Sequence, residues 1–332
     1  MRDVANAAGV SVMTVSRALK KDSVITEKTR ARILDIVQKM NYVPDQMAGS
    51  LTTKRSQFVA VLVPSIDNLH FAKTVQSLTN ELSKIDMQIL LGHTGYSPAQ
   101  EEQIVKDLLR RRPDLIVLSY DGHTQKTIDL LRQAAIPIIE IWETPKNPIE
   151  HTIGFSNFDA AKKMTEALIA KGYQRIAFLG ETKDDSTRGA ARRAGFIDAM
   201  EDAGLSSHRL IKYGAPPASM EKGAIAAEKA LQEHPDVDCL FCVSDIAAFG
   251  AQSYLLRQGI KVPEQIAVVG FGNFDVSRFC SPCISTVAVD PDGIGLETGK
   301  LIRQLLIDGN NDMMSQHINV PFQIVFRESS KS

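Results

Sequence analysis

Apolar positions change period along this 332-residue chain. At the N-terminal end they recur in helical steps: Val4, Ala5 and Ala8, then Val15, Ala18 and Leu19 beyond Gly9 and Ser11. Steps of three and four residues put side chains on one helix face. The pattern predicts two short helices joined at Gly9, which tolerates a tight bend, with Ser11 as N-cap of the second. Val12, Met13, Thr14, Ser16 and Arg17 are left on or near the outward side of that second helix. Such a helix-turn-helix can present its second helix to a major groove, although a helical hairpin can also be plain core. A third helix is expected after Thr26, its N-cap, with Ile33, Leu34, Val37 and Met40 as the packing face. It stops before Pro44, because the residue preceding proline avoids helical geometry. Residues 45–56 are small and polar around the single Leu51, which reads as a linker with a short conditional helix.

From Phe58 onward, short Val/Ile/Leu runs alternate with amphipathic stretches. Strands are predicted at 58–63, 88–91, 115–119, 136–142, 175–180, 239–243 and 266–271, with helices around 71–82, 99–110 and 160–171. Nearly continuous apolar strands between helices mean parallel sheets covered on both faces. Two such halves in tandem predict two doubly wound α/β subdomains with a cleft between them. Ligands of open parallel sheets bind beyond the carboxyl ends of the strands. The first half offers Ser65, Asn68, His93, Tyr96, Asp121, His123, Glu140 and Trp142 there. The second half offers Phe155, Asn157, Arg188, Arg192, Ser244, Asp245 and Asn273.

Charge sharpens the division of labour. Residues 1–57 hold ten Lys/Arg and five Asp/Glu, whereas the remainder holds 28 and 34. A basic head on an acidic body suits phosphate contact by the small domain. At 44% hydrophobic and 23% charged residues the chain has ordinary globular composition. It has no apolar run long enough for a membrane span, and no apolar leader, so a cytoplasmic location is expected. Cys239/Cys242 and Cys280/Cys283 mimic a zinc ribbon, but 37 residues separate the pairs. Cys239 and Cys242, on a strand, would also point to opposite faces. Buried free thiols are the expectation, with no metal and no disulfide.

No catalytic motif emerges. In Asp292-Gly-Ile-Gly-Leu-Glu-Thr-Gly-Lys300, Ile294 stands where a P-loop needs its first glycine, and Leu301 follows the lysine. Thr298 stands where a dinucleotide fingerprint needs its third glycine. No GxSxG motif is present. The cleft is expected to bind without chemistry and without a cofactor.

The strings DVANAAGVSVMTVSRALK and VITEKTRARILDIVQKMNYVPDQMAGSLTTKRS resemble the LacI/GalR family of transcription regulators, and the likeness runs through the whole chain. It implies a helix-turn-helix head at 1–44 and a hinge at 45–57. The core is then a periplasmic-binding-protein-like pair, one subdomain at 58–155 and 288–317, the other at 156–287 and 318–330. It implies a homodimer on double-stranded operator DNA, with no membrane partner. Val12, Met13 and Arg17 would lie at base edges, Thr14 and Ser16 on phosphates, and Leu51 between minor-groove base steps. Asp45 and Gln46 depart from the usual asparagine and arginine, which weakens phosphate attraction.

Other departures concern the ligand. Gly272 replaces a carboxylate that takes sugar hydroxyls in many members, Ser244-Asp245 replaces Asn-Asp, and Arg188 and Arg192 are kept. Gly92–Tyr96, Pro137–Glu140 and Gly154–Asp159 are similar to the gluconate-repressor subgroup. A sugar-acid effector of the gluconate type is expected. A phosphorylated sugar acid and a neutral sugar are the rivals, and a solute-binding protein of the same core fold is a remote alternative.

Overall fold

The computed structural model describes residues 1–19, 25–43, 55–119, 122–181, 187–308 and 314–330. It divides into a small unit, Met1–Ser56, and a large one, Gln57–Ser332.

In the small unit, α1 (Arg2–Ala8) ends at Gly9, whose φ of 60° turns the chain. Ser11 then caps α2 (Val12–Ala18), its hydroxyl accepting from the Thr14 N–H at 3.2 Å. With α3 (Glu27–Lys39), these helices enclose a core of Val4, Ala5, Ala8, Val15, Ala18 and Ile33. Two details differ from the sequence reading. Leu34 and Met40 are exposed, and Ile36 joins Val37 at the core instead, because the α3 face is centred on Ile33. Thr26 occupies the N-cap position, but its hydroxyl pairs with that of Thr29 rather than with a helix N–H.

The large unit holds two six-stranded sheets. The first contains β1 (Phe58–Val63), β2 (Gln88–His93), β3 (Leu115–Ser119), β4 (Ile138–Ile141) and β5 (His151–Gly154), all parallel. The second contains β6 (Ile176–Gly180), β7 (Leu210–Lys212), β8 (Cys239–Cys242), β9 (Ala267–Gly272) and β10 (Ser285–Ala288), also parallel. β11 (His317–Asn319) returns to pair parallel with β5. β12 (Gln323–Val325) runs antiparallel to β10 and breaks the all-parallel expectation. The chain thus passes between the sheets three times. β10 ends at Ala288 and β11 at Asn319.

Helices cover both sheets. The first half carries α4 (Leu69–Ser83), α5 (Pro98–Leu109) and α6 (Gln125–Ala134). α7 (Asn157–Ala170), α8 (Arg188–Asp202), α9 (Met220–Glu233), α10 (Asp245–Arg257), α11 (Asp275–Phe279) and α12 (Pro291–Leu306) follow. Glycine lets α9 and α10 touch backbone to backbone. A Cβ on Gly250 would meet the Met220 carbonyl oxygen at 1.8 Å, and one on Gly223 would meet that of Ala247 at 2.0 Å. Cys239 and Cys242 are buried in β8, whereas Cys280 and Cys283 are only partly buried, contrary to the expectation for all four. Among the described residues no group of His, Cys, Asp or Glu is arranged to hold a metal ion, and no helix is long and apolar enough to cross a membrane.

Candidate functional site

Two surfaces could carry function, one on each unit. On the head, α2 turns Val15 and Ala18 inward, which leaves Val12, Met13 and Arg17 exposed and Thr14 and Ser16 half-buried. Met13 is 64% exposed, far more than a core methionine tolerates. Leu51 lies outside the described residues, as does the greater part of the expected hinge.

In the large unit, strand ends from both sheets converge on a cavity of about 540 Å³. Ser65, Asn68, Tyr96, Trp142, Arg188, Arg192 and Ser244 line it, as the strand-end rule predicts. Asn68 and Ser244 also cap α4 and α10, accepting from the N–H groups of His70 and Ala247.

The two arginines are held in place. Arg192 donates from Nε to Asn157 Oδ1 at 2.9 Å and from Nη1 to the Val243 carbonyl at 2.7 Å, with its guanidinium 3.7 Å above the Phe271 ring. Burial and the neighbouring Arg188 push its pKa down to about 10, which leaves it cationic at neutral pH. Arg188 is buried, donates to Ser119 Oγ at 2.9 Å and lies over Phe71. Two confined positive charges side by side favour an anion between them.

Several residues missed by sequence reasoning complete the lining. His70, in the first turn of α4, packs tilted against Phe274 with ring centroids 3.7 Å apart and stacks on Trp142 at 5.8 Å. Burial, reinforced by Arg192 and Lys73, pushes its pKa down to about 4, so the ring is neutral. Both its nitrogens, and Trp142 Nε1, are shielded from solvent and have no hydrogen-bond partner among the described residues. Asp67, Glu181 and Asp275 line the cavity too. The cleft therefore keeps carboxylates near the arginines although Gly272 supplies none. Asp275 lies three residues beyond Gly272, and Glu181 packs against the Gly189 backbone at the start of α8. Gly272 itself has a φ of 126°, and a Cβ there would meet Phe274 at 2.6 Å and His70 Nε2 at 2.7 Å.

The other expected ligand residues are outside the lining. Asn157 is wholly buried; it bonds the Trp142 carbonyl and Glu143 as well as Arg192, so it positions residues of the cavity. Phe155 packs beneath Trp142 and Phe271. Asp245 turns inward to accept from the Phe274 N–H at 2.7 Å and the Thr286 hydroxyl at 2.6 Å. Asn273 accepts from Arg327 at 2.5 Å. His93 is exposed on β2. His123 is buried between Glu101, at 2.6 Å, and Glu140, at 3.5 Å, forming an internal ion cluster instead. Asp121 lies outside the described residues.

This pairing of head and cavity has a counterpart among known proteins. Residues 1–45 match the family described as bacterial regulatory proteins, lacI family, and residues 56–325 match periplasmic binding proteins and sugar binding domain of LacI family. The chain belongs to the LacI family. This LacI-family protein is 32% identical over 327 residues to the HTH-type transcriptional regulator IdnR of Escherichia coli (strain K12), covering 98% of this chain and 96% of that one. It is 30% identical over 295 residues to the HTH-type transcriptional regulator GntR of the same strain, covering 89% and 88%. A crystal structure of a LacI family transcriptional regulator from Silicibacter pomeroyi is 59% identical, with a TM-score of 0.80 over 83% of this chain and 99% of that one. The protein is a DNA-binding transcriptional regulator of this family and not an enzyme.

Proposed function

We propose that this LacI-family regulator is a repressor controlled by a sugar acid of the gluconate type bound in the cavity. The observation that carries the effector reading is the union of two confined guanidiniums, Arg188 and Arg192, with Asp67, Glu181 and Asp275 in one lining. Among the described residues Arg192 donates from Nε and Nη1, which leaves Nη2 for a ligand. A carboxylate can take that edge, while hydroxyl groups along a polyol chain donate to the acidic residues of the lining. A neutral sugar would bring no charge to the Arg192 Nη2 edge. Phosphorylated acids are the rival, since guanidinium binds phosphate as readily.

The head acts as one half of a two-fold dimer, each α2 entering the major groove of one half-site of a pseudo-palindromic operator. Arg17 reads a base edge and Thr14 and Ser16 position the phosphates, while Leu51 inserts in the minor groove as the hinge folds. Effector and operator oppose each other through the hinge, so each weakens the other's affinity by the same factor.

Calorimetric titration with gluconate, 6-phosphogluconate and glucose, paired with operator-binding measurements, tests this reading. Selective gluconate binding that also releases operator DNA is the expected result. Binding of glucose alone, or an effector without influence on operator affinity, would overturn it.

A further inference from the structure

The turn after α11 carries two thiols that effector binding does not use. α11 ends at Phe279, and Cys280-Ser-Pro-Cys283 follows. Both cysteines are partly exposed, unlike the buried pair in β8. Cys280 Sγ lies 3.2 Å from the Pro282 carbonyl oxygen, the oxygen of the peptide bond leading into Cys283. Cys283 Sγ lies 3.2 Å from the Cys280 carbonyl oxygen and 3.1 Å from that of Arg278. Each sulfur therefore rests on the other residue's backbone within one short turn. Two cysteines so placed close a ring with little further chain ordering, and a dithiol of this spacing is a common redox unit in reducing compartments.

We propose that Cys280 and Cys283 are a modification site, an oxidisable dithiol that forms an internal disulfide with a low-molecular-weight disulfide as oxidant, and that the change is felt in the effector cavity. One cysteine thiolate attacks the small disulfide, forming a mixed disulfide and releasing one small thiol. The second cysteine then attacks the protein sulfur of that bond and releases the other small thiol. Two protein S–H groups are replaced by one S–S bond, and the oxidant leaves as two thiols carrying the two hydrogens. Burial raises the Cys280 thiol above its ordinary range, so Cys283 is the first attacker and Cys280 the resolving sulfur.

The route to the cavity is short. In the reduced protein Cys283 donates to the Arg278 carbonyl of α11 at 3.1 Å, whereas Cys280 Sγ lies 3.8 Å from the Ser277 carbonyl and nearer that of Pro282. Oxidation removes the Cys283 donor. The other end of this five-residue helix is cavity wall: Phe274 is its N-cap residue, and Phe274, Asp275 and Val276 line the space. The Phe274 ring packs against His70, which stacks on Trp142, the single tryptophan of the chain. A shift of α11 thus reports on Trp142 emission without any effector present. The coupling rests on the cavity being the effector site, whereas the disulfide does not.

The full chain, incubated with oxidised glutathione and alkylated, is to be mapped by peptide mass. The expected result is loss of two of the four free thiols, with Cys280 and Cys283 in one peptide lighter by two hydrogens and restored by dithiothreitol. Trp142 emission should shift on oxidation in the wild type and stay constant in C283S and C280S, where serine keeps a donor for the helix carbonyls. Four thiols remaining, a persistent glutathione adduct, or a disulfide between two chains on a non-reducing gel would overturn the site. An internal disulfide with unchanged Trp142 emission and unchanged gluconate affinity would overturn the coupling. If the disulfide and the emission shift appear but gluconate does not bind, the effector assignment fails and this site stands.

Discussion

Arg192 Nε donates to Asn157 Oδ1 at 2.9 Å, and the same Asn157 amide donates to Glu143 at 2.9 Å and to the Trp142 carbonyl at 3.0 Å. One buried amide therefore sets both the aim of the guanidinium and the backbone of Trp142, whose φ of 75° is unfavourable for a side-chain-bearing residue. Removing it should loosen the cavity without touching the head. Asn157→Ala is expected to weaken gluconate binding by roughly 10- to 100-fold, the scale of a lost hydrogen bond to a charged group. Arg192→Ala should abolish the response, with operator affinity retained in both. Calorimetry beside operator-binding assays checks this; an unaltered effector response in Arg192→Ala contradicts the pocket assignment.

The α9–α10 crossing tolerates no added carbon. Gly250→Ala drives a Cβ into the Met220 carbonyl, which is backbone and has no rotamer by which to withdraw. A cost of about 1–3 kcal/mol is expected, seen as a lower thermal midpoint. Met220 also lines the cavity, so effector affinity should fall in the same variant. Ala251→Gly, one residue on, serves as the comparison in which stability falls but no clash is introduced.

His123 supplies a pH dependence that originates away from the cavity. Burial opposes its charge, but the carboxylates of Glu101 and Glu140 outweigh that and raise its pKa from 6.5 to about 9. Because the folded value lies above the unfolded one, the contribution to stability is complete below about pH 6.5 and is lost as the pH rises through about 9. Thermal midpoints should decline across that window. His123→Gln should lower the midpoint at pH 6 and flatten the profile; a profile as steep as wild type would show that another group governs it.

On the head, Arg17 and Met13 are both exposed on α2 but differ in what they can read. Arg17→Ala should cost about 1–3 kcal/mol of operator discrimination and relax preference at one base pair, since arginine bonds guanine at two points. Met13→Ala should alter only contacts to thymine methyl groups. Fluorescence anisotropy on single-base operator variants separates the two: equal losses on every sequence after Arg17→Ala would mean a phosphate contact instead.

Much of this architecture was legible because burial writes itself into period. The runs at 58–63, 115–119 and 239–243 are buried strands or nearly so, and Gly9 and Ser11 mark the turn between α1 and α2. The strand-end rule found Arg188, Arg192 and Trp142 but could not tell lining from support. Asn157 and Asp245 sit at the right ends of the right strands, yet each folds back to satisfy buried donors. His70 was missed because it falls inside the first turn of a helix, where polar residues usually face water. Glu181 directly follows β6, so the strand-end rule could have found it, whereas Asp275 was missed because it opens a helix three residues beyond β9. The short β11 and antiparallel β12 are too brief and too polar to leave a pattern.

Gly272 and His70 occupy each other's space, with only 2.7 Å available between a Cβ at the first and the ring of the second. The two positions are therefore locked as a pair in inheritance. A lineage of this protein cannot gain a carboxylate at 272 by one substitution, because a Cβ there meets both the imidazole and the Phe274 ring, and the φ of 126° disfavours any side chain. Losing the imidazole first opens a hole beside Trp142. Drift between effector chemistries must cross that weakened intermediate, and the glycine acts as a ratchet holding the cavity to its present ligand.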